Sequence, residues 1–434
     1  MHSTGLLTDH YELTMLQAAL RAGTANRRSV FEMFGRRLPD GRRYGVVAGT
    51  GRALDALEAF RFDQDQLSFL REHAVVDEPT LQWLADYRFG GNIWGYAEGD
   101  VYFPGSPLMT VEASFAEAVL LETLLLSIYN HDSAVASAAS RMWLAADGRP
   151  CIEMGARRTH EWSAVGAARA AYIAGFEMTS NLQAGRDYGV PTTGTAAHSF
   201  TLLHDTEEDA FAAQIAALGR GTTPLVDTYD IPAAVATAVR LAGPELGAVR
   251  IDSGDLGVLA RQVRQQLDEL GAASTRIIVT SDLDEFAIAG LAAAPVDGYG
   301  AGTSLVTGSG HPTSGFVYKL VARATSDEAD APLVAVAKKS LDKVSIGGRK
   351  WALRRRDPRG TAEAEIIGIG REPTDDGDDR PLLVELVRDG TVVGREPLTA
   401  ARERHRAAVA ELPVESRKLS RGEAAIPTRY LEER

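Results

Sequence analysis

Acidic and hydroxyl side chains stand directly after several runs that the sequence predicts to be β-strands. Asp252 and Asp255 follow one apolar run, and Ser281 and Asp282 follow the next one along the chain. In folds built from βα units the reactive groups collect at the carboxyl ends of the strands. Carboxylates at such positions can accept hydrogen bonds from sugar hydroxyls or bind a hard cation, and Asp252 and Asp255 can equally cap the helix that follows.

Two arginines accompany these acids. Arg250 lies two residues before Asp252, and the two-residue period of a strand sends both side chains to the same side. An arginine that faces the interior of such a fold needs an anionic partner. Arg157 stands just beyond another predicted strand, where its guanidinium could bind a phosphate or a carboxylate through two hydrogen bonds, or remain a solvated surface group.

His198 follows the small residues 194–197, at the end of a further predicted strand. An imidazole in that setting is accessible for acid–base or nucleophilic chemistry, although a single histidine can also be structural. Asp227 and Asp230, at the two ends of the segment 227–230, add a carboxylate pair after another strand, with helix capping as the alternative interpretation. The sequence contains no Walker A pattern and no His/Cys metal cluster that would indicate a different chemistry.

A glycine run follows the strand predicted at 295–298. Gly298, Gly300 and Gly302 alternate with other residues and lead into Thr303, without the spacing of a dinucleotide-binding fingerprint. Backbone N–H groups and a threonine hydroxyl at this place suit a phosphate, because the loops after the last strands of βα barrels commonly bind one. A simple glycine turn is the alternative.

The elements that must position these residues form a recurring βα pattern between residue 151 and about residue 320. Strands are predicted at 151–154, 176–178, 190–193, 224–226, 248–251, 276–280 and 295–298, with an eighth near 316–320. Helices are predicted at 161–174, 207–218, 232–241, 256–270 and 284–293. This alternation predicts an α/β fold, and the number of strands favours a closed, TIM-like βα barrel over an open doubly wound sheet.

The segments on either side of this region have a mixed pattern. They contain a predicted helix at 11–22, a hairpin-like stretch at 87–107, long helices over 111–146, and short strands at 333–336, 350–353, 365–369 and 391–393. We expect residues 119–325 to form the catalytic barrel domain. Residues 1–118 and 326–434 are expected to form a second, flanking α+β domain against which the barrel packs.

Composition narrows the class of partner and the compartment. The 434 residues are 45% hydrophobic and carry a net charge of −13, which argues against nucleic acid or an anionic membrane as partner. The single cysteine cannot form an intrachain disulfide, and no stretch of the sequence has the pattern of a signal peptide or a membrane span. We therefore expect a cytoplasmic protein without membrane or nucleic-acid partners.

Seven short strings, in their order along the chain, resemble those of nicotinate phosphoribosyltransferases. They are TDHYELT at 8–14, EMGARR at 153–158, FEMTSN at 176–181, GTAAHS at 194–199, DTYD at 227–230, DSGD at 252–255 and SD at 281–282. The resemblance covers most of the chain and is loose only over the last hundred residues. It implies an irregular βα barrel, and a homodimer whose subunits share active sites.

The activity implied by this resemblance is the formation of nicotinate mononucleotide and pyrophosphate from nicotinate and phosphoribosyl pyrophosphate, a step of NAD salvage. The resemblance further implies Mg²⁺ as cofactor and ATP as a co-substrate that phosphorylates a histidine. His198 is the position that matches the phosphohistidine. Displacement of pyrophosphate builds positive charge on the ribose and negative charge on the leaving group, so carboxylates and cations are both needed. Asp252, Asp255 and Asp282 could provide the carboxylates and the Mg²⁺ ligands.

The remaining roles follow from the same resemblance, position by position. Asp252 with Arg250 matches the contact to the ribose and its phosphates, and Arg157 falls where the pyridine carboxylate or a phosphate is held. Tyr11 matches an aromatic residue that a partner subunit lays on the pyridine ring. The other substrate-binding positions are Met154, Phe176, Ser180, Asp227, Asp255, Ser281 and Asp282, and the phosphate-binding positions are Gly298, Gly300, Gly302 and Thr303. Met154 departs from relatives that have phenylalanine there, although a thioether can also pack on a ring.

Three alternative functions would make other demands on these residues. Nicotinamide-using relatives carry an aspartate where Ser180 stands, and a carboxylate there would accept from an amide but repel a substrate carboxylate. A Schiff-base aldolase would need a lysine at a strand end, and residues 151–317 contain none. A binding protein without turnover remains open, and a pyrophosphate-release assay distinguishes it from an enzyme.

Overall fold

The computed structural model of the chain describes residues 3–338 and 345–431. Residues 1–2, 339–344 and 432–434 of the predicted flanking domain lie outside the described residues. The chain divides into two compact units, the first comprising Met1–Ala134 with Thr313–Arg434 and the second Val135–Pro312. Residues 119–134 and 313–325, which the predicted boundaries assign to the barrel domain, lie in the first unit.

The second unit is built on a parallel β-sheet. Its strands pair in the order Met178–Thr179, Cys151–Glu153, Gly298–Ala301, Arg276–Thr280 and Ala248–Ile251. Its helices are Glu161–Ile173, Leu182–Tyr188, His198–Leu203, Glu207–Leu218, Ile231–Ala242, Leu256–Glu269, Glu285–Gly290 and Thr303–Val306, with short 3-10 turns at Ala156–Arg158 and Gly243–Glu245. The α/β class and the parallel sheet are therefore confirmed.

The closed barrel is not confirmed. Single parallel bridges from Thr179 to Thr192 and from Leu225 to Arg250 extend the sheet at its two ends. Among the described residues, no pairing joins the Thr192 segment to the Leu225 segment. The strands predicted at 190–193 and 224–226 are each reduced to one bridge, which leaves too few backbone groups to continue a hydrogen-bonded ladder between them.

The helices that follow the strands begin at polar caps. Asn181, Asp230, Asp255 and Asp284 each accept a hydrogen bond from a backbone N–H two or three residues further on. Such caps satisfy donors that the first turn of a helix leaves free. For Asp255 and Asp230 the capping interpretation is therefore correct. Short loops, 252–254 and 281–283, separate the strand ends from the caps, so side chains in those loops stay at the carboxyl edge of the sheet.

The glycine run forms a strand for most of its length. The strand predicted at 295–298 is observed three residues later, at Gly298–Ala301. A Cβ on Gly300 would lie 2.5 Å from Cγ2 of Thr280 and 2.8 Å from Sδ of Met154, so this position has no room for a side chain. Of the predicted phosphate loop, Gly302 and Thr303 alone form the turn into the next helix.

The first unit contains mainly antiparallel sheets. One sheet runs in the order Leu333–Ala335, Phe316–Ala324, Arg28–Gly35, Met109–Ser114, Asn92–Tyr96, Leu383–Arg388 and Thr391–Val392. A second runs in the order Arg380–Pro381, Lys350–Arg356, Ala362–Ile369 and Thr428–Tyr430, and a third pairs Gly45–Val46 with Val101–Tyr102. Its helices are His10–Arg21, Thr50–Glu58, Gln64–Glu72, Glu78–Ala85, Phe115–Val119 and Leu398–Ala410, with a 3-10 turn at Val414–Arg417.

Two predictions about element type are wrong. The eighth barrel strand near 316–320 is instead part of Phe316–Ala324, which pairs antiparallel with Arg28–Gly35. Its Tyr318 ring stacks on Phe31 with centroids 4.9 Å apart, so the strand's aromatic face belongs to the core of the first unit. The helix predicted from residue 111 is a strand as far as Ser114, where a capping box starts the first helix, and Glu122–Ala145 follows as a separate long helix.

Candidate active site

A cleft of about 510 Å³ opens at the carboxyl edge of the parallel sheet. Such a volume is typical of small-molecule sites. Its lining residues come from the ends of six strand segments and from the turns that follow them. They are Met154, Arg157, Arg158, Ser180, Thr193, Gly194, Thr195, Ala196, Ala197, His198, Arg250, Asp252, Thr280, Ser281, Asp282, Gly300, Gly302 and Thr303. Parallel strands place their carboxyl ends at one edge, which explains why positions far apart in the sequence meet here.

Arg250 is a largely buried cation in this cleft. One terminal nitrogen donates to the carbonyl of Ala196 over 3.1 Å, while the buried Nε has no hydrogen-bond partner. Burial lowers the pKa of the Arg250 guanidinium, the nearby charge of Arg157 adds to that effect, and Asp252 and Asp227 oppose it. An anion between the two arginines would satisfy Nε and relieve their repulsion.

Two aspartates lie beside this cation. Asp252 lines the cleft and accepts a hydrogen bond from the hydroxyl of Thr280. Asp227 is buried beneath it, with a side chain 2% exposed, and its Oδ2 accepts from the backbone N–H of Asp252 at 3.0 Å and from the Ser253 hydroxyl at 2.6 Å. The other oxygen, Oδ1, is buried without a hydrogen-bond partner. Asp227 therefore fixes the backbone of Asp252 and keeps one acceptor free.

His198 is the first residue of a short helix beyond the Thr192 segment. Its Nδ1 lies 3.1 Å from Oγ1 of Thr228, within hydrogen-bond distance. Its Nε2 lies 3.9 Å from Oδ1 of Asp227, too far for a hydrogen bond. With 42% of the side chain exposed, Nε2 is the ring nitrogen that is available to a ligand in the cleft.

The family of the chain is shown by a relative that matches it over almost its whole length. A curated nicotinate phosphoribosyltransferase of Mycobacterium tuberculosis is 59% identical over 98% of this chain and 95% of its own length. The chain belongs to the nicotinate phosphoribosyltransferase family of enzymes. Residues 6–130 match the family model of the nicotinate phosphoribosyltransferase N-terminal domain, and a Bacillus subtilis nicotinate phosphoribosyltransferase is 38% identical over 81% of this chain and 73% of its own. The crystal structure of human nicotinic acid phosphoribosyltransferase superposes with a TM-score of 0.81, at 26% identity and 97% coverage of both chains.

Most of the residues that the family resemblance singled out meet in the cleft of this phosphoribosyltransferase. Besides Tyr11, four do not line it: Phe176 is buried in the core, Asp255 caps the helix Leu256–Glu269, Asp227 lies beneath Asp252, and Gly298 lies within its strand. Tyr11 belongs to the first unit, on the helix His10–Arg21, with 43% of the residue exposed. Partial burial, together with the charges of Glu122, Glu12 and Asp9, raises the pKa of its phenol to about 12, so it is a neutral hydroxyl donor.

The backbone at Ser281 is strained. Its φ is 147°, in the region that L-residues rarely adopt, and it stands between the strand end at Thr280 and the cleft residue Asp282. Strain of this kind persists where surrounding contacts enforce it, and it is concentrated at functional sites. Here the loop is closed by a hydrogen bond from the Leu283 N–H to the Ser281 carbonyl at 2.8 Å.

Sequence reasoning missed three polar residues that support the cleft. Glu153 is buried and accepts hydrogen bonds from the Gly155 N–H and the Thr179 hydroxyl. Thr280 contributes the hydroxyl that holds Asp252. The alternation of residues along the strands would have placed Glu153 and Thr179 opposite the cleft-facing positions, but nothing in the sequence indicates that their side chains bond to each other.

Within residues 3–338 and 345–431, one group of three carboxylates is close enough to hold a single metal ion, and it is Asp375, Asp376 and Asp379 in the first unit. The aspartates of the cleft do not form such a group.

None of the described helices is both long and apolar enough to cross a membrane.

Proposed function

We propose that this chain transfers the phosphoribosyl group of phosphoribosyl pyrophosphate to nicotinate, forming nicotinate mononucleotide and pyrophosphate for NAD salvage. The observation that carries the proposal is the combination, in one cleft, of Arg157 and Arg250 with Asp252 and Ser180. The Ser180 hydroxyl is exposed and has no hydrogen-bond partner among the described residues, so it can donate to a substrate carboxylate.

The chemistry needs charge stabilisation more than proton transfer. The ring nitrogen of nicotinate attacks the anomeric carbon, a C–N bond forms, and the bond from that carbon to the pyrophosphate oxygen breaks. Positive charge grows on the ribose while negative charge grows on the pyrophosphate. Asp252 is the carboxylate that stabilises the ribose, and Arg250 and Arg157 are the cations that stabilise the leaving group. The nitrogen attacks with its own lone pair, so no protein base is required.

The 5′-phosphate is assigned to the turn at Gly302 and Thr303. Both residues line the cleft at the end of a strand, as backbone and hydroxyl donors for a phosphate should. Gly300 also lines the cleft, and its lack of a side chain lets Met154 and Thr280 approach. Ser281 and Asp282 line the same cleft and are assigned to the ribose.

Mg²⁺ fits the donor set of this cleft. Asp227 has a buried oxygen without a partner, and Asp252 and Asp282 line the wall, so hard oxygen ligands are present. Because these carboxylates do not form a group of three, we expect one or two of them to bind the ion together with substrate phosphates, as Mg²⁺ sites commonly do. When bound, the ion neutralises charge on the pyrophosphate.

ATP coupling is assigned to His198. Thr228 holds Nδ1, so Nε2 is the nucleophile: it forms a bond to the γ-phosphorus of ATP while the bond from that phosphorus to the bridging oxygen breaks and ADP leaves. The phosphorylated imidazole adds about 1.5 to 2 negative charges beside Asp227. That charge would organise the cation and arginines of the cleft, and water later removes the phosphate.

A homodimer with shared active sites is the proposed assembly. Large apolar side chains are exposed on the helices and loops that follow the parallel strands, at the same edge as the cleft. They are Trp162, Leu182, Leu202, Leu203, Tyr229 and Phe286. Exposed apolar groups gathered at one edge are typical of a protein interface, and we assign this edge to a second copy of the chain, which would bring its Tyr11 to the pyridine ring.

The direct test is a product assay. Purified protein with phosphoribosyl pyrophosphate is expected to form nicotinate mononucleotide from nicotinate, faster with ATP than without. It is expected to use nicotinamide poorly, because the neutral Ser180 hydroxyl is a weaker acceptor for the amide than a carboxylate would be. Chromatographic separation of the two nucleotides and a pyrophosphate assay measure the outcome. Nicotinamide as the better substrate, or ligand binding without pyrophosphate release, would contradict the proposal.

The shared site is tested by mixing two inactive variants. A Tyr11→Ala chain and an Asp252→Ala chain should each have low activity alone. A mixed dimer contains one site with neither change, so some activity should return after subunit exchange. The control mixes each variant with itself under the same conditions. Verified mixed dimers without recovered activity would show that Tyr11 does not act in the neighbouring subunit's site.

A further inference from the structure

Glu153 is a buried carboxyl group at the end of a strand that leads into the cleft. It ends the strand Cys151–Glu153, its side chain is inaccessible to solvent, and it precedes the lining residue Met154. In the described part of the chain no arginine or lysine pairs with it. Burial raises the pKa of the Glu153 carboxyl, and hydrogen bonds from Thr179 and Gly155 oppose this shift. A buried acid is costly unless hydrogen bonds offset its loss of hydration, so the partners of Glu153 matter.

The two oxygens of Glu153 bind the two turns that form one side of the cleft. Oε1 accepts from the N–H of Gly155, in the turn that carries Met154 and Arg157. Oε2 accepts from the hydroxyl of Thr179, in the turn that carries Ser180. One side chain therefore connects the residue expected to pack on the pyridine ring with the residue expected to bind its carboxylate.

The bonds continue on both sides of Ser180. Oγ1 of Thr179 accepts from the backbone N–H of Asn181 at 2.9 Å, and the N–H of Ser180 donates to the carbonyl of Glu153 at 2.8 Å. Asn181 in turn caps the helix Leu182–Tyr188 through a hydrogen bond from Ala184 N–H of 3.0 Å. The backbone of Ser180 is thus held from both neighbours, while its own side chain stays exposed in the cleft.

The direction of these hydrogen bonds requires an acceptor at both oxygens. The Thr179 hydroxyl accepts from the backbone N–H of Asn181 and donates its own hydrogen to Oε2 of Glu153. A glutamine at 153 could still accept from Gly155, but its NH₂ would face the Thr179 hydroxyl. That hydroxyl would then lose its acceptor, and a buried donor without a partner weakens the whole connection.

We propose that Glu153, acting through Thr179, is the positioning residue that sets the spacing of Met154 and Ser180 and so determines the affinity for the pyridine substrate. The proposal rests on the nicotinate phosphoribosyltransferase activity proposed above. It assigns Glu153 and Thr179 to nicotinate binding and not to the ribose, because their bonds reach the turns of Gly155 and Ser180 and not those of Asp252 or Thr303.

The test compares Thr179→Val with Thr179→Ser. Valine keeps the shape but removes the hydroxyl, and we expect KM for nicotinate to rise about tenfold, the equivalent of one lost hydrogen bond to a charged group. Serine keeps the hydroxyl and should retain the KM of the unaltered protein. In both variants kcat and KM for phosphoribosyl pyrophosphate should stay within about twofold, since Thr179 bonds to Glu153 only at Oε2, and the bond between Oε1 and the turn of Arg157 is kept.

Glu153→Gln provides an independent second variant. It should also raise KM for nicotinate. The double variant with Thr179→Val should have a KM no higher than that of the more impaired single variant, because both substitutions remove the same connection. Thermal unfolding of each variant checks that it folds. If Thr179→Val does not fold, the KM values of Glu153→Gln decide the question. Equal rises in both KM values would indicate a general structural role and overturn the proposal, as would an unchanged KM for nicotinate. An unaltered protein that forms no nicotinate mononucleotide would contradict the proposed function itself.

Discussion

Replacing His198 by alanine is expected to abolish ATP hydrolysis and all stimulation by ATP, while slow ATP-independent formation of nicotinate mononucleotide continues. The change removes Nε2, the ring nitrogen that is free to take a phosphoryl group because Thr228 lies against Nδ1. The groups assigned to the transfer itself, Arg250 and Asp252, are unaltered. An imidazole acting as a base would be idle towards nicotinate, so loss of the transfer step is not expected.

The measurement has two parts. Acid-labile phosphate on the protein is determined after incubation with ATP, and product formation by the variant is followed with ATP omitted. His204→Ala is the matched control, because His204 stands at the other end of the same short helix and its ring bonds to the carbonyl of Phe200 at 2.8 Å. This control should keep its label and its ATP stimulation. Label that persists in His198→Ala would place the phosphate on another residue, and retained stimulation would remove the mechanism.

Replacing Ser180 by aspartate is expected to lower kcat/KM for nicotinate by about three orders of magnitude. The new carboxylate would face the carboxylate of the substrate, and two like charges at about 4 Å repel by about 4 kcal/mol at the effective dielectric of a partly buried site. The same group can accept from the amide of nicotinamide, so the relative use of nicotinamide should rise.

Ser180→Ala separates the loss of the hydroxyl donor from the addition of a negative charge. It removes the hydroxyl donor without adding charge, so its loss should be smaller, about tenfold to a hundredfold, the range of one hydrogen bond to a charged group. Steady-state rates with both pyridines measure the effects, and KM for phosphoribosyl pyrophosphate serves as the internal reference. An aspartate variant that equals the alanine variant on nicotinate would show that Ser180 does not contact the substrate carboxylate.

Local patterns in the sequence were sufficient for much of the α/β unit. The strands at 248–251 and 276–280 and the helix at 207–218 have the predicted bounds, because each combines a clear period with a polar residue at its end. The family also follows from short strings that bring chemistry-bearing residues to strand ends. The comparison with known proteins confirms that the chain belongs to this family. These features depend on near neighbours along the chain, which a sequence displays directly.

Other predictions depended on contacts between distant residues. The run at 316–324 has the composition of any buried strand, and only its pairing with Arg28–Gly35 decides that it is antiparallel and belongs to the first unit. Closure of the barrel likewise depends on how far the segments near Thr192 and Leu225 pair, which their residue types do not reveal. The residue types of the glycine run likewise do not reveal that Gly298–Ala301 is a strand, or that Met154 and Thr280 leave no room for a side chain at Gly300.

By itself, the sequence determined the α/β class, the family, and the set of side chains from which a phosphoribosyl-transfer site can be built. The tertiary structure alone decided how that set divides: Asp252 lines the cleft, Asp255 caps a helix, and Phe176 is buried. It also revealed Glu153, a carboxyl whose importance comes from Thr179, 26 residues away. The physical reason is that residue type and spacing specify what a side chain can do, whereas burial and hydrogen-bond partners, which arise only on folding, specify which of those things it does.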